Sequence, residues 1–160
     1  MFVCTMRGSS IRFFSIVAVA LAALICLIVF VPSEEPPVTA VTASGETVRF
    51  DKIKTAEDRI AFLAQFGWEV SPEPTEEITI TIPDDFDKVL TSYNELQKQQ
   101  GLDLSKYKGK EVTRYTYTVT NYEGYDGTVY ANIIIYKNRV IGGDICSSDA
   151  SGFIYTLAGK

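Results

Sequence analysis

Glu111 to Thr120 reads EVTRYTYTVT, and Thr128 to Tyr136 reads TVYANIIIY. In the first stretch Tyr115, Tyr117 and Val119 alternate with Thr116, Thr118 and Thr120. Successive side chains of a strand point to opposite faces, so this alternation marks a strand with one buried face. Asn121 to Gly127 between the two stretches is a glycine-bearing turn, which makes them an antiparallel hairpin. Outward from there, Lys137-Asn138 forms the next tight turn. Arg139 to Ile145 (RVIGGDI) is a third strand, weakened by Gly142-Gly143, and Phe153 to Leu157 is a last short one. Upstream, Glu76 to Ile82 (EEITITI) alternates isoleucine with threonine or glutamate and adds another strand.

Two helices precede the hairpin. Thr55 can cap the first, with Asp58 three residues later, and Ile60, Leu63, Ala64 and Phe66 share a face before Gly67 ends it. Trp68 to Val70 is extended, and Ser71 to Thr75 (SPEPT) is a loop. The second helix follows Pro83, with Asp84 and Asp87 as its capping pair. Phe86, Val89, Leu90, Tyr93 and Leu96 form its buried stripe, and Gly101 ends it. These elements predict an α+β fold: a small two-layer domain with both helices on one face of a mostly antiparallel sheet.

The apolar content is concentrated at the start. Phe13 to Val31 (FFSIVAVALAALICLIVFV) is 19 residues long and uncharged. At ~1.5 Å rise per residue it can span a hydrocarbon core of ~30 Å. Arg7 and Arg12 precede it and Glu34 and Glu35 follow, which keeps the N-terminus in the cytoplasm. The expected organisation is a cytoplasmic tail at 1–12, a transmembrane helix at 13–31, a flexible Pro/Ser/Thr-rich stalk at 32–45 and an extracytoplasmic domain at 46–160. The alternative is a cleaved signal peptide with processing near Val41 or Ser44, which would release the domain. The apolar core is longer than the ~7–15 residues of such a peptide, which favours the uncleaved anchor. With this topology Cys4, Cys26 and Cys146 lie in three separate compartments, so the domain carries no internal disulfide.

The 160 residues contain no histidine, which removes imidazole bases, His-based nucleophile triads and the usual metal sites. The net charge of −5 argues against nucleic acid as a partner, which needs a basic stripe to neutralise phosphates. Charge is divided: Ser33 to Asp87 holds thirteen acidic and four basic residues, whereas Lys88 to Lys160 holds seven and nine. No cofactor is implied.

The most site-like stretch is Gly142-Gly143-Asp144-Ile145-Cys146-Ser147-Ser148-Asp149. Adjacent glycines admit close approach of another group, where Asp144, Cys146 and Asp149 present polar atoms. A nucleophilic Cys146 needs a depressed pKa and a base, and without histidine that base would be a carboxylate such as Asp144 or a lysine. The competing reading is a strand passing under a helix at the glycines, with a structural cysteine. Asp84, Asp85 and Asp87, or Asn121, Glu123 and Asp126, offer oxygens for calcium, but their spacing is that of a helix start and a turn. Of nine tyrosines, Tyr115, Tyr117, Tyr130 and Tyr136 fall on the hairpin. They either pack under the helices or form a ladder on which cell-wall sugars stack.

Several stretches together carry a family resemblance: Asp58 to Leu63, Gly67 to Val70, Ile82-Pro83 with Phe86, and Tyr93 to Gly101. Asp103 to Ser105, Tyr107 to Lys110, Asn121-Tyr122, Val140 to Cys146 and Gly152-Phe153 continue it in the same order. Over about residues 50–158 the chain resembles the bacterial family called domain of unknown function 4830. The resemblance implies a small extracytoplasmic domain behind one N-terminal hydrophobic segment in Gram-positive bacteria, and supplies no activity or site residue. Together these readings lead to the expectation of a non-catalytic binding or interaction module at the cell envelope, its partner an envelope protein or the cell wall. The alternatives are an envelope enzyme using Cys146 with Asp144, or a structural spacer.

Overall fold

The computed structural model describes residues 39–41, 47–149 and 151–159. The expected cytoplasmic tail, membrane helix and most of the stalk lie outside these residues, as do Cys4 and Cys26. Among the described residues no helix is long and apolar enough to cross a membrane. Two short strands, β1 (Thr39–Val41) and β2 (Thr47–Arg49), pair antiparallel with Ala40 opposite Val48. Part of the stretch read as stalk is therefore strand, in keeping with its β-branched Thr39 and Val41. Then follow α1 (Ala56–Ala64), β3 (Glu76–Thr81), α2 (Lys88–Gln99), a 3-10 turn at Leu104–Tyr107, β4 (Glu111–Thr118), β5 (Val129–Tyr136), β6 (Arg139–Ser147) and β7 (Ile154–Tyr155).

β3 to β7 make one five-stranded sheet in sequence order, with every pair antiparallel. The α+β class expected from the sequence is the one observed. Lys137 and Asn138 hold φ of 45° and 65°, the left-handed pair that suits a two-residue hairpin between twisted strands. Register sets Thr116 opposite Asn132, and Asn132 opposite Asp144.

The two helices do not share a face of the sheet. Phe62 and Leu63 of α1 pack with Tyr117, Ala131, Ile133 and Ile145. Tyr93 of α2 packs with Leu104 of the 3-10 turn against Val112, Ile134 and Ile141 on the other side. The domain thus has three layers, α1, sheet and α2, and the two-layer expectation is corrected. The cause lies in β4 and β5, whose alternate residues are apolar on both faces: Tyr117 and Ile133 on one, Val112 and Ile134 on the other.

α1 begins as expected. The Thr55 hydroxyl accepts from Asp58 N–H at 3.2 Å, and Asp58 Oδ2 accepts from Thr55 N–H at 2.9 Å. Its inner face centres on Phe62, which the sequence reading left out, while Ala64 is exposed. The Phe62 ring meets Phe50 edge-on at 5.4 Å, and burying such a side chain contributes about 1.5–3 kcal/mol.

α2 departs further. Asp87 alone caps it, accepting from Leu90 N–H at 2.7 Å, because the helix starts at Lys88 and Asp84 stands before it. Val89, placed in the buried stripe by its spacing, is 76% exposed, while Asn94 and Gln97 are buried at 4% and 0%. The helix faces a polar strand edge there, and amide side chains serve that edge where aliphatic ones would not.

That edge belongs to β6. Phe50 O accepts from Val140 N–H at 2.8 Å, and β7 pairs with Ile145 and Cys146. In the gap between them Gly143 turns its backbone to α2. Its N–H donates to Gln97 Oε1 at 2.8 Å, and its carbonyl accepts from Gln100 Nε2 at 2.7 Å. Gln100 Oε1 also accepts from Leu157 N–H at 3.0 Å. Two glutamines thus replace a strand partner and close the edge. β6 runs on through the glycines, with a register shift against β5 beside Gly142, between Ile134 and Ile135.

Candidate functional site

Two groupings of polar side chains among the described residues bear on function, one on each face of the sheet. On the α2 face, Tyr93 O–H donates to Asp144 Oδ1 at 2.7 Å, and Asn132 Nδ2 donates to Asp144 Oδ2 at 2.9 Å. The same Asn132 nitrogen lies 3.3 Å from Cys146 Sγ, and Asn132 Oδ1 accepts from Thr116 O–H at 2.7 Å. The side chains come from β4, β5, β6 and α2, and the cross-strand register explains their meeting. Asp144 is buried, and burial raises its pKa against the opposing bonds from Tyr93 and Asn132. Burial, then the Asp144 charge, pushes the Cys146 thiol up to about 11. Tyr93 is raised by burial and by Asp144 in the same way.

This arrangement does the opposite of activating a thiol. A nucleophilic cysteine wants a neighbouring cation or helix start to favour the thiolate. Cys146 instead sits by a buried carboxylate, already bonded to Tyr93 and Asn132, that also accepts a hydrogen bond from its thiol and so holds the neutral form. The charge of Arg114 offsets this only in part. Gly142 lies under α2, where a Cβ would meet Leu104 Cδ2 at 3.1 Å, whereas a Cβ on Gly143 would meet Asn132 O at 2.8 Å and Leu157 Cδ1 at 2.9 Å. Their role here is close packing. Asp149 is not with them, for it accepts from Tyr125 O–H in the loop after β6. Among the five sequence candidates, then, the structure gathers Gly142, Gly143, Asp144 and Cys146 on β6 and leaves Asp149 apart.

On the α1 face, an open cleft of about 260 Å³ lies between the start of α1 and the β3–β4 side of the sheet. Arg59, Lys54, Thr79, Thr113, Tyr115 and Glu111 are among its lining residues. The Arg59 guanidinium rests 3.9 Å above the centre of the Tyr115 ring, and its Nε–H donates to the buried Tyr117 hydroxyl at 2.8 Å. Sequence reasoning missed Arg59. Its two tyrosine partners lie more than fifty positions away, so no local spacing announces the contact. The only hint was its rarity as a base within the acidic stretch before Lys88.

Among the described residues no three acidic or cysteine side chains converge as a metal cage requires. Tyr115 and Tyr117 sit under α1, whereas Tyr136 packs with the other cluster, so the four hairpin tyrosines do not make one ladder. Trp68 stacks on Tyr122 at 5.9 Å and donates its indole N–H to Leu157 O at 2.6 Å.

No curated protein and no solved structure matches the chain. A family model does match it, over residues 62–145, which run from the buried face of α1 into β6 and include Tyr93, Asn132, Asp144 and the paired glycines. With more than half of its length covered, the chain belongs to the family described as Domain of unknown function (DUF4830).

Proposed function

We propose that the chain is a single-pass, membrane-anchored protein of a Gram-positive cell envelope whose extracytoplasmic domain is a non-catalytic binding module. Residues 13–31 hold it in the bilayer with the N-terminus in the cytoplasm, and the α1-face cleft is its binding surface toward an envelope protein or cell-wall component. The single observation carrying this reading is the separation of the two polar places. The thiol and carboxylate that an enzyme would use lie on the α2 face, with the thiol pushed up to about 11. The cleft on the opposite face is lined by arginine, lysine, threonine and tyrosine, with Glu111 as the acid among them. A cleft also argues against a mere spacer, which needs no concave surface.

The anchor is tested by N-terminal sequencing of protein isolated from native membranes, combined with protease treatment of intact protoplasts. The expected result is a chain beginning at its own N-terminus, with the domain digested from outside. A chain beginning near Val41 or Ser44 in the medium would mean a secreted domain, and protection from external protease would overturn the topology.

A further inference from the structure

We propose that the α1-face cleft binds an oxyanion, a carboxylate or phosphate group of a small ligand, through the guanidinium of Arg59. This rests on the cleft being the binding surface and adds the chemistry of what it takes. Three observations converge on Arg59. First, it is held in place on two sides: the Tyr115 ring supports its flat face at 3.9 Å, and Tyr117 takes its Nε–H at 2.8 Å. Such fixing removes much of the side-chain entropy that an arginine otherwise loses on binding. Second, among the described residues no carboxylate lies within ion-pairing distance of it, and the exposed Glu57 feels its charge only weakly. The ion pairs among the described residues are Arg49–Asp51, Lys98–Glu95 and Arg114–Glu76, and none involves Arg59 or Lys54. Third, Nε makes the hydrogen bond that Arg59 donates among the described residues, which leaves its two Nη groups as the donors that form a fork for a planar or tetrahedral oxyanion.

The surroundings suit that charge. Lys54 lies at the same cleft, and the hydroxyls of Thr79 and Thr113 line it with further donors. Glu111 is the acid in the lining, and Glu77 stands beside Tyr115 on the neighbouring strand. These carboxylates favour a ligand that reaches Arg59 from the Lys54 side. The start of α1 does not take part, since its Lys54 and Thr55 N–H groups already donate to Asp58 Oδ2. At about 260 Å³ the cleft is just below the usual small-molecule range of roughly 300–1,000 Å³, which suits one small acid or one phosphate-bearing group.

The test uses the full chain in uncharged detergent, isotope-labelled and followed by amide NMR at ionic strength held constant with sodium chloride. Inorganic phosphate and acetate are titrated separately. The expected result is saturable movement of the Lys54, Thr113 and Tyr115 amides with at least one of them. Saturation by phosphate alone identifies a phosphate ligand, and by acetate alone a carboxylate. Arg59→Gln should abolish saturation, and Lys54→Gln, at an exposed position, should weaken it about fivefold. Absence of saturation by either ion, or unchanged affinity in Lys54→Gln, overturns the proposal. So does unchanged affinity in a folded Arg59→Gln. None of these results alters the topology measurement, so the anchor and the anion site fail separately.

Discussion

Tyr93 on α2 donates its phenolic O–H to Asp144 Oδ1 on β6 at 2.7 Å, and this bond ties the helix to the longest strand of the sheet. Asp144 is 3% exposed, so its oxygens depend on protein donors. Tyr93→Phe keeps the ring in place and leaves one carboxylate oxygen unpartnered. The expected loss is about 1–3 kcal/mol in urea unfolding, with little change in the slope.

The paired glycines should respond unequally to the same substitution. In Gly143→Ala the new methyl meets the Asn132 carbonyl oxygen at 2.8 Å and Leu157 Cδ1 at 2.9 Å. Backbone cannot yield cheaply, and overpacking of this kind costs about 1–3 kcal/mol. In Gly142→Ala the nearest atoms are the ends of Leu104 and Ile134, at 3.1 and 3.2 Å, and those can turn aside. Thermal unfolding should show the larger drop for Gly143→Ala. Equal drops would contradict the packing described.

Gln97 and Gln100 should act as edge closures. Gln97→Ala removes the acceptor of Gly143 N–H, and hydrogen exchange at Gly143 should then accelerate while Ile145, paired with Tyr155 on β7, stays protected. If both amides accelerate together, the variant has loosened the whole strand rather than opened one gap.

How far these features could be read from the chain depended on their range. The strands β3 to β6 and the capping box of α1 follow from patterns within ten residues, as with Thr55 and Asp58. The buried face of α2 could not be read in that way. Hydrophobic spacing selects Val89, but the helix lies beside the Gly143 backbone, where Asn94 and Gln97 are the useful side chains. Placement of the helices on opposite faces was also hidden, because both faces of β4 and β5 carry apolar residues. Arg59 belongs to the same class: its meaning comes from Tyr115 and Tyr117, which only the fold brings near.

The capping box sets an acid-side prediction. Backbone N–H groups of Thr55 and Lys54 hold Asp58 below the usual carboxylate pKa of 3.8. A lowered folded pKa contributes stability above 3.8 that is lost as pH falls through the folded value. Asp58→Asn should therefore flatten the fall in stability below about pH 4. Thr55→Ala should cost about 0.5–2 kcal/mol at neutral pH, read from urea midpoints.

The central claim is that the thiol–carboxylate pair on β6 is scaffold and that binding belongs to the opposite face. Its most direct test is the titration of Cys146, followed by the pH dependence of its alkylation in the full chain with Cys4 and Cys26 replaced by serine. Burial favours the neutral thiol in the folded state, so the thiolate should appear only around pH 11, against an ordinary value of 9.0. The folded state should accordingly lose stability as pH rises from 9 toward 11, because the unfolded chain releases that proton first. A Cys146 that reacts as a thiolate near neutral pH would contradict the account and return β6 to candidacy as an active site.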